Sequence, residues 1–147
     1  PGDNTKPVVY AANEIIGVSI CYEDVFGEEV IAALPEATIL VNISNDAWFG
    51  DSIAPHQHLQ MARMRALETG RYMLRSTNTG ISAIINEKGV IIASSPQFIP
   101  HVTSDNVKTF EGLTPYARVG NWPVIVSAFL VLLLAFFRFR KLSEADI

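Results

Sequence analysis

Cysteine is almost missing from this chain: Cys21 is the one thiol in 147 residues. A single cysteine excludes an internal disulfide framework, and three histidines spread along the sequence offer no metal-ligand spacing. No metal or other cofactor is therefore expected. Basic clusters are lacking outside the far C-terminus, and the net charge is −4. That balance argues against nucleic acid as a partner. Charge is absent altogether from Val124 to Phe137. The chain opens on Pro1, and PGDNTKPVVYAANE carries little periodicity. The opening reads as a loop entered in mid-domain, and the chain as a piece of a longer protein, in which no signal peptide is to be sought. The chain as a whole is 49% hydrophobic, enough for one domain with a real core.

The single thiol closes a β-rich run. Ile15, Ile16, Val18 and Ile20 are β-branched and suit a short buried strand. Tyr22, Glu23 and Asp24 follow Cys21, then Val25, Phe26, Val30, Ile31 and Leu34 at helical spacing. Cys21 is thus expected on a strand-to-helix turn, where unpaired backbone N–H groups lower a thiol pKa and stabilise an oxyanion. A free cysteine taken alone belongs in the core as a small apolar residue. The polar YED beside it shifts the balance towards a nucleophile.

Glu28 to Leu34 is expected to continue the helix until Pro35, and TILVNI at 38–43 to form a second buried strand. Strand, helix and strand of this length predict a crossover with parallel strands ending at one edge. The loop SNDAWFGDSIAPHQH then falls beside Cys21, where open α/β sheets place ligands. Within it Asn45, Asp46, Trp48 and Phe49 are candidates for a substrate pocket, with plugging of the loop onto the core as the alternative for the aromatics. Residues 55–72 predict a helix ended near Gly70. His56 and His58 do not share a face of it; surface or capping roles suit both, and His58 better suits a local polar network. Arg75 and Asn78 return to the same edge, to orient a site or to bond the turn. Residues 81–85 and 90–93 predict a β-hairpin, and 94–120 an arm leading out of the domain.

The apolar stretch extends from Trp122 to Phe139 if Arg138 snorkels, and at ~1.5 Å per residue it spans about 27 Å, close to the hydrocarbon thickness of a bilayer. It reads as a transmembrane helix. Trp122 suits one interface, and Arg138, Arg140 and Lys141 the cytoplasmic one. Residues 1–121 then lie outside the cytoplasm and 140–147 form a short cytoplasmic tail. A lone thiol in an oxidising compartment is a liability unless it is used.

CYED at 21–24, SNDAWFG at 44–50, HLQMARMRALE at 58–68, RSTNTGISAII at 75–85 and GLTPYARVGNWP at 112–123 stand in order ahead of the apolar helix. Together they resemble the apolipoprotein N-acyltransferase family, a membrane branch of the nitrilase (carbon–nitrogen hydrolase) superfamily. The resemblance covers the chain from about Ile15 to Phe137. It implies an α/β fold, the C-terminal part of an αββα sandwich, over 1–121. It also implies a Glu-Lys-Cys triad and a ping-pong reaction at the bacterial plasma (inner) membrane. In that reaction the thiolate takes an acyl chain from a phospholipid donor and passes it to the diacylglyceryl-cysteine of an apolipoprotein acceptor. Cys21 matches the nucleophile, and Tyr22 and Glu23 match positions used in the site. The triad glutamate and lysine lie upstream in the family; only Asp3, Lys6 and Glu14 precede Cys21 here, none in a matching context. Residues 1–147 alone are therefore expected to be inactive. A membrane-tethered amidase with water as acceptor, and a non-catalytic membrane-anchored module, are the competing expectations.

Overall fold

Ile15, Ile16, Val18 and Ile20 do form a strand, β2 (Glu14–Ile20). The structure, a computed structural model, describes residues 7–145, with backbone alone at 139 and 141–145. Six strands pair in chain order: β1 (Val8–Ala11), β2, β3 (Ile39–Ser44), β4 (Met73–Thr77), β5 (Ala83–Ile85) and β6 (Ile91–Ser94). The β2–β3 and β3–β4 pairs are parallel and the other three antiparallel. Ile20 pairs with Ile43, and Ser44 with Thr77. The residue after β2, Cys21, therefore emerges next to Ser44 at the common edge, as the crossover expectation requires.

Helices α1 (Gly27–Ile31) and α2 (Ala54–Thr69) cover one face of this sheet. Val30, Ala33, Leu59, Ala62 and Ala66 pack there on Leu40, Met73, Ala83 and Ile85. Gly17 makes the close approach possible, since a Cβ on it would lie 2.7 Å from Leu40 Cδ2 and 3.0 Å from Ala33 Cβ. Gly70, at φ 64°, ends α2 in the left-handed conformation that glycine adopts without penalty. The other face carries Ile20 and Ile43, more than half exposed, with Val18 and Val41 only partly buried. Tyr72 and Phe110 stack near that face, 6.1 Å apart, beside Ile39 and Ile84.

Several expectations need correction. The stretch read as an opening loop contains β1, whose backbone pairs with β2 because Val8–Ala11 meets a free strand edge; residues 1–6 lie outside the described residues. The helix after Cys21 is not continuous: a 3-10 turn (Cys21–Val25) stops at an extended Phe26 before α1. The arm does not lead straight out. Arg71 donates to Ala37 O and Gly112 O, at 2.8 and 2.7 Å, and Thr114 Oγ1 donates to Glu68 O, so GLTPYAR is clamped on the domain. Thr114 also caps α3 (Pro115–Val119) by accepting from Ala117 N. Among the described residues a single sheet is present with helices on one face, so the sandwich appears as one α/β half.

Helix α4 (Trp122–Ala145) runs past the boundary expected at 139, and its described side chains are exposed all round, Val124 at 72% and Leu134 at 69% among them. Among the described residues no helix is long and apolar enough to cross a membrane, and the transmembrane expectation for 122–139 is not shown.

Gly17→Ala tests the packing of β2 under α1. Overpacking there is expected to cost about 1–3 kcal/mol, read from urea denaturation; an unchanged midpoint would contradict the close approach.

Candidate active site

Cys21 sits at the end of β2 with φ +54°, in the left-handed region. A non-glycine residue held there costs about 1–3 kcal/mol, and such strain gathers at functional sites. Two side chains fix the turn around it. Glu23 accepts a hydrogen bond from Ile20 N at 2.7 Å, and Asn42 donates to Cys21 O at 3.1 Å. The strand-to-turn placement leaves the thiol partly exposed. Ser44 Oγ lies 3.7 Å from Sγ. Burial pushes the thiol pKa up, but the Ser44 hydroxyl, the backbone N–H groups of Asn45 and Tyr22, and the charge on His58 outweigh it, and the net result is a lowered value. A lowered thiol pKa increases the thiolate available at neutral pH.

Beneath the thiol lies a buried charge cluster. Asp24, Asp46, His58 and Arg75 are all at most 3% exposed. Arg75 donates through Nη2 to Asp46 Oδ2 at 2.9 Å and lies 3.3 Å from Asp24 Oδ2 through Nη1. His58 bridges the same two carboxylates, Nε2 to Asp24 Oδ1 at 2.8 Å and Nδ1 to Asp46 Oδ1 at 3.1 Å. Arg75 Nη2 also stands 2.9 Å from His58 Nδ1, which taken alone would suit a neutral ring. A carboxylate on each ring nitrogen decides for the imidazolium. Burial lowers the His58 pKa, but hydrogen bonds to Asp24 and Asp46 more than reverse this and raise it to about 9. Asp46 is held at about 2: burial raises it, while His58, Ser44 and Arg75 pull it down. Two cations and two anions leave the cluster neutral overall.

The cluster draws on four elements. Asp24 comes from the 3-10 turn, Asp46 from the loop after β3, His58 from α2 and Arg75 from β4. Arg75 Nη1 also donates to Asn42 Oδ1 at 2.8 Å, which carries the network to the Cys21 carbonyl. A Cβ at Gly80 would run into the Asp46 side chain, so the turn after β4 closes on the cluster only as glycine.

The carbon–nitrogen hydrolase family matches residues 1–108. The chain belongs to the carbon–nitrogen hydrolase family. Among curated relatives, it is 52% identical to the apolipoprotein N-acyltransferase of Methylococcus capsulatus over 84% of its own length and 25% of that protein's. It is 46% identical to that of Haemophilus influenzae over 97% of its own length and 28% of that protein's. The chain thus spans about a quarter of the length of these relatives. The carbon–nitrogen hydrolase from Helicobacter pylori G27 shares the fold, with a TM-score of 0.56 at 17% identity over 66% of this chain and 41% of that one.

In this carbon–nitrogen hydrolase chain the candidate residues take different places. Cys21, Tyr22 and Asn45 meet at the sulfur. Glu23 is spent on the backbone of its own turn. Asp46 lies under the site rather than on its surface, and Phe49 packs edge-on against His58 with ring centres 6.5 Å apart. Trp48 is 86% exposed, so it does not plug the loop onto the core. A cavity of about 390 Å³ opens at the same sheet edge between Thr77, Asn78, Ser82, Ser95, Ile99 and His101; neither Trp48 nor Phe49 lines it. Asn78 bonds its own turn by accepting from Thr79 N at 2.8 Å, and reaches the neighbouring loop by donating to Asn45 Oδ1 at 2.7 Å and accepting from Asp46 N at 3.2 Å. His58 is not a surface residue, as one of the expectations had it, but the centre of the network.

Sequence reasoning passed over Ser44, Asn42 and Asp24. The signal was in the strand period: Asn42 and Ser44 share the core-facing side of β3 with Leu40, and Arg75 shares that of β4 with Met73. Polar residues on a buried face at the end of a strand have to be satisfied locally.

Stability follows the two shifted groups. His58 has a raised folded pKa, so its contribution is complete below about pH 6.5 and is lost as pH rises towards about 9. Asp46 is depressed, so its contribution is complete above the ordinary value of 3.8 and is lost as pH falls towards about 2. Urea titrations across pH are expected to give a maximum between these limits; a curve still rising from pH 7 to 9 would contradict the imidazolium. Arg75→Met, which leaves His58 as the one cation for two buried carboxylates, is expected to cost about 3–5 kcal/mol in the same titrations.

Proposed function

We propose that this chain carries the nucleophile of an N-acyltransferase. That enzyme moves a fatty acyl group from a phospholipid to the N-terminal diacylglyceryl-cysteine of apolipoproteins through a thioester on Cys21. The observation that carries the reading is the Cys21 turn itself: a strained, partly exposed thiol of lowered pKa, set against backbone N–H donors. The identity to apolipoprotein N-acyltransferases across most of the chain supports this choice of substrates.

In the first half reaction the thiolate attacks the ester carbonyl of the lipid. The C–O bond breaks and the lysophospholipid leaves with the electron pair on oxygen. In the second, the acceptor amine attacks the thioester, the C–S bond breaks, the thiolate is restored and the amine loses a proton. The backbone N–H groups of Tyr22 and Asn45 are suited to the oxyanion of both tetrahedral intermediates, where one donor contributes ~3 kcal/mol. Tyr22 and Trp48, both exposed beside the turn, offer apolar surface to an acyl chain. Among the described residues, the groups acting on the sulfur include neither a lysine nor a glutamate. The remaining triad members belong to the rest of the protein in this reading, and residues 1–147 alone are inactive.

The same proposal assigns α4 to the plasma membrane, with residues 1–121 on its outer or periplasmic face and 140–147 in the cytoplasm. Its support is the charge-free surface from Val124 to Phe137, apolar apart from Ser127 and exposed on every side of the helix. A second sheet of the sandwich would cover Ile20 and Ile43 on the open face.

Cys21→Ala in the full-length protein, assayed for lipid-to-lipopeptide transfer in detergent or vesicles, is expected to lower the rate by ~10³-fold or more. Transfer at the wild-type rate would refute the acyltransferase reading. Release of free fatty acid without transfer to the peptide would favour an amidase-like hydrolase.

A further inference from the structure

Ser44 has one hydroxyl proton and two acceptors within reach. Its Oγ lies 2.8 Å from Asp46 Oδ1 and 3.7 Å from Cys21 Sγ, and the residue is 6% exposed. Solvent therefore offers little alternative, and the hydroxyl bonds to one acceptor at a time. With Cys21 as the neutral thiol, the shorter contact to a carboxylate wins, and the thiol S–H donates to the free lone pair of Ser44. Once the sulfur is ionised it competes for the same proton as a second anion, and charge-assisted bonds are the strong ones.

What decides the exchange is whether Asp46 tolerates losing a donor. Asp46 Oδ1 keeps His58 Nδ1 at 3.1 Å, and Oδ2 keeps Arg75 Nη2 at 2.9 Å. Both remaining partners carry positive charge, so the carboxylate stays ionised and satisfied. We propose that Ser44 is a positioning residue whose hydroxyl turns from Asp46 to Cys21 when the sulfur ionises, with the Asp24–His58–Arg75 cluster holding Asp46 in place of the lost bond. The thiol proton leaves for solvent or for the acceptor that the reaction supplies; Asp46, still paired with His58 and Arg75, does not take it up at neutral pH. The groups facing Cys21 are accounted for on every side. Tyr22, Glu23 and Asp24 lie on its own turn, Asn42 and Ser44 on β3, Asn45 and Asp46 on the following loop, His58 on α2 and Arg75 on β4. Of the charged ones, Glu23 is tied to Ile20 N and the other four form the neutral cluster.

This proposal deepens the reading of Cys21 as nucleophile, yet its test does not need the transfer reaction. In the full-length protein, iodoacetamide labelling of the peptide bearing Cys21 is followed by mass spectrometry from pH 5 to 10, below each variant's melting temperature. Ser44→Ala is expected to move the labelling midpoint up by about one pH unit, a roughly tenfold lower thiolate fraction at neutral pH. Ser44→Thr, which keeps a hydroxyl, is expected to restore the wild-type midpoint. Asp46→Asn, which leaves Ser44 only a neutral competitor for its proton, is expected to lower it, and serves if the alanine variant does not fold. An unmoved midpoint in Ser44→Ala, a threonine variant shifted as far as alanine, or a raised midpoint in Asp46→Asn would each overturn the proposal. Retained acyl transfer in Cys21→Ala would instead remove the nucleophile reading and leave the labelling result standing.

Discussion

The arrangement depends on a pair of cations and a pair of carboxylates buried together. Asp24, Asp46, His58 and Arg75 come from separate elements and meet with less than a few per cent of their surface in water. Removing such charges from water is expensive, and only full pairing with good hydrogen bonds repays it. The cluster pairs its charges by alternation, since each carboxylate is held between the histidine and the arginine, while Arg75 Nε is buried without a hydrogen-bond partner. It does little for net stability compared with an apolar core. Its effect is to define where the 3-10 turn, the loop after β3, α2 and β4 stand relative to one another.

Cys21 inherits its position from this. The register of β2 on β3 brings it next to Ser44, and Asn42 ties its carbonyl to Arg75 through one side chain. The left-handed backbone at Cys21 is then over-determined by Glu23 on one side and Asn42 on the other, which is how strain of this kind persists. The sulfur gains from the arrangement twice. It receives the fixed backbone N–H donors of Tyr22 and Asn45, which need no reorganisation, and it stands beside a cluster whose net charge is zero, so that burial is what opposes its ionisation. Tyr22 and Phe49 shield the top of His58, with ring centres at 5.9 and 6.5 Å, and that keeps water from competing for the imidazolium.

Much of this layout is written in local sequence. The β-branched run before Cys21, the strand 38–43, the helix ended by Gly70 and the hairpin of 81–85 and 90–93 each follow from short-range pattern, and the parallel crossover follows from their order. The five ordered motifs pointed to the carbon–nitrogen hydrolases. Less legible were features that need partners far along the chain. Val8–Ala11 has no period of its own and is a strand only because β2 offers an edge. GLTPYAR looks like an arm in isolation, while Arg71 and Glu68, distant in sequence, bond to Gly112 O and the Thr114 hydroxyl and turn it into a clamp. His58 is legible as a member of a local polar network but not as a buried one; its place on the Ala62–Ala66 stripe, four residues apart, is the clue to its burial. Asp46 looked like a loop residue facing substrate, and only the position of Arg75 on the neighbouring strand shows why it points inward.

The central claim is that the Cys21 sulfur carries the acyl group. It is tested most directly by incubating the full-length protein with phospholipid, without apolipoprotein, and analysing the peptide bearing Cys21 by mass spectrometry. The account predicts one fatty acyl adduct on Cys21, removed by neutral hydroxylamine and consumed when the lipoprotein acceptor is added. An adduct on another residue, or acyl transfer proceeding with Cys21 never modified, would contradict it.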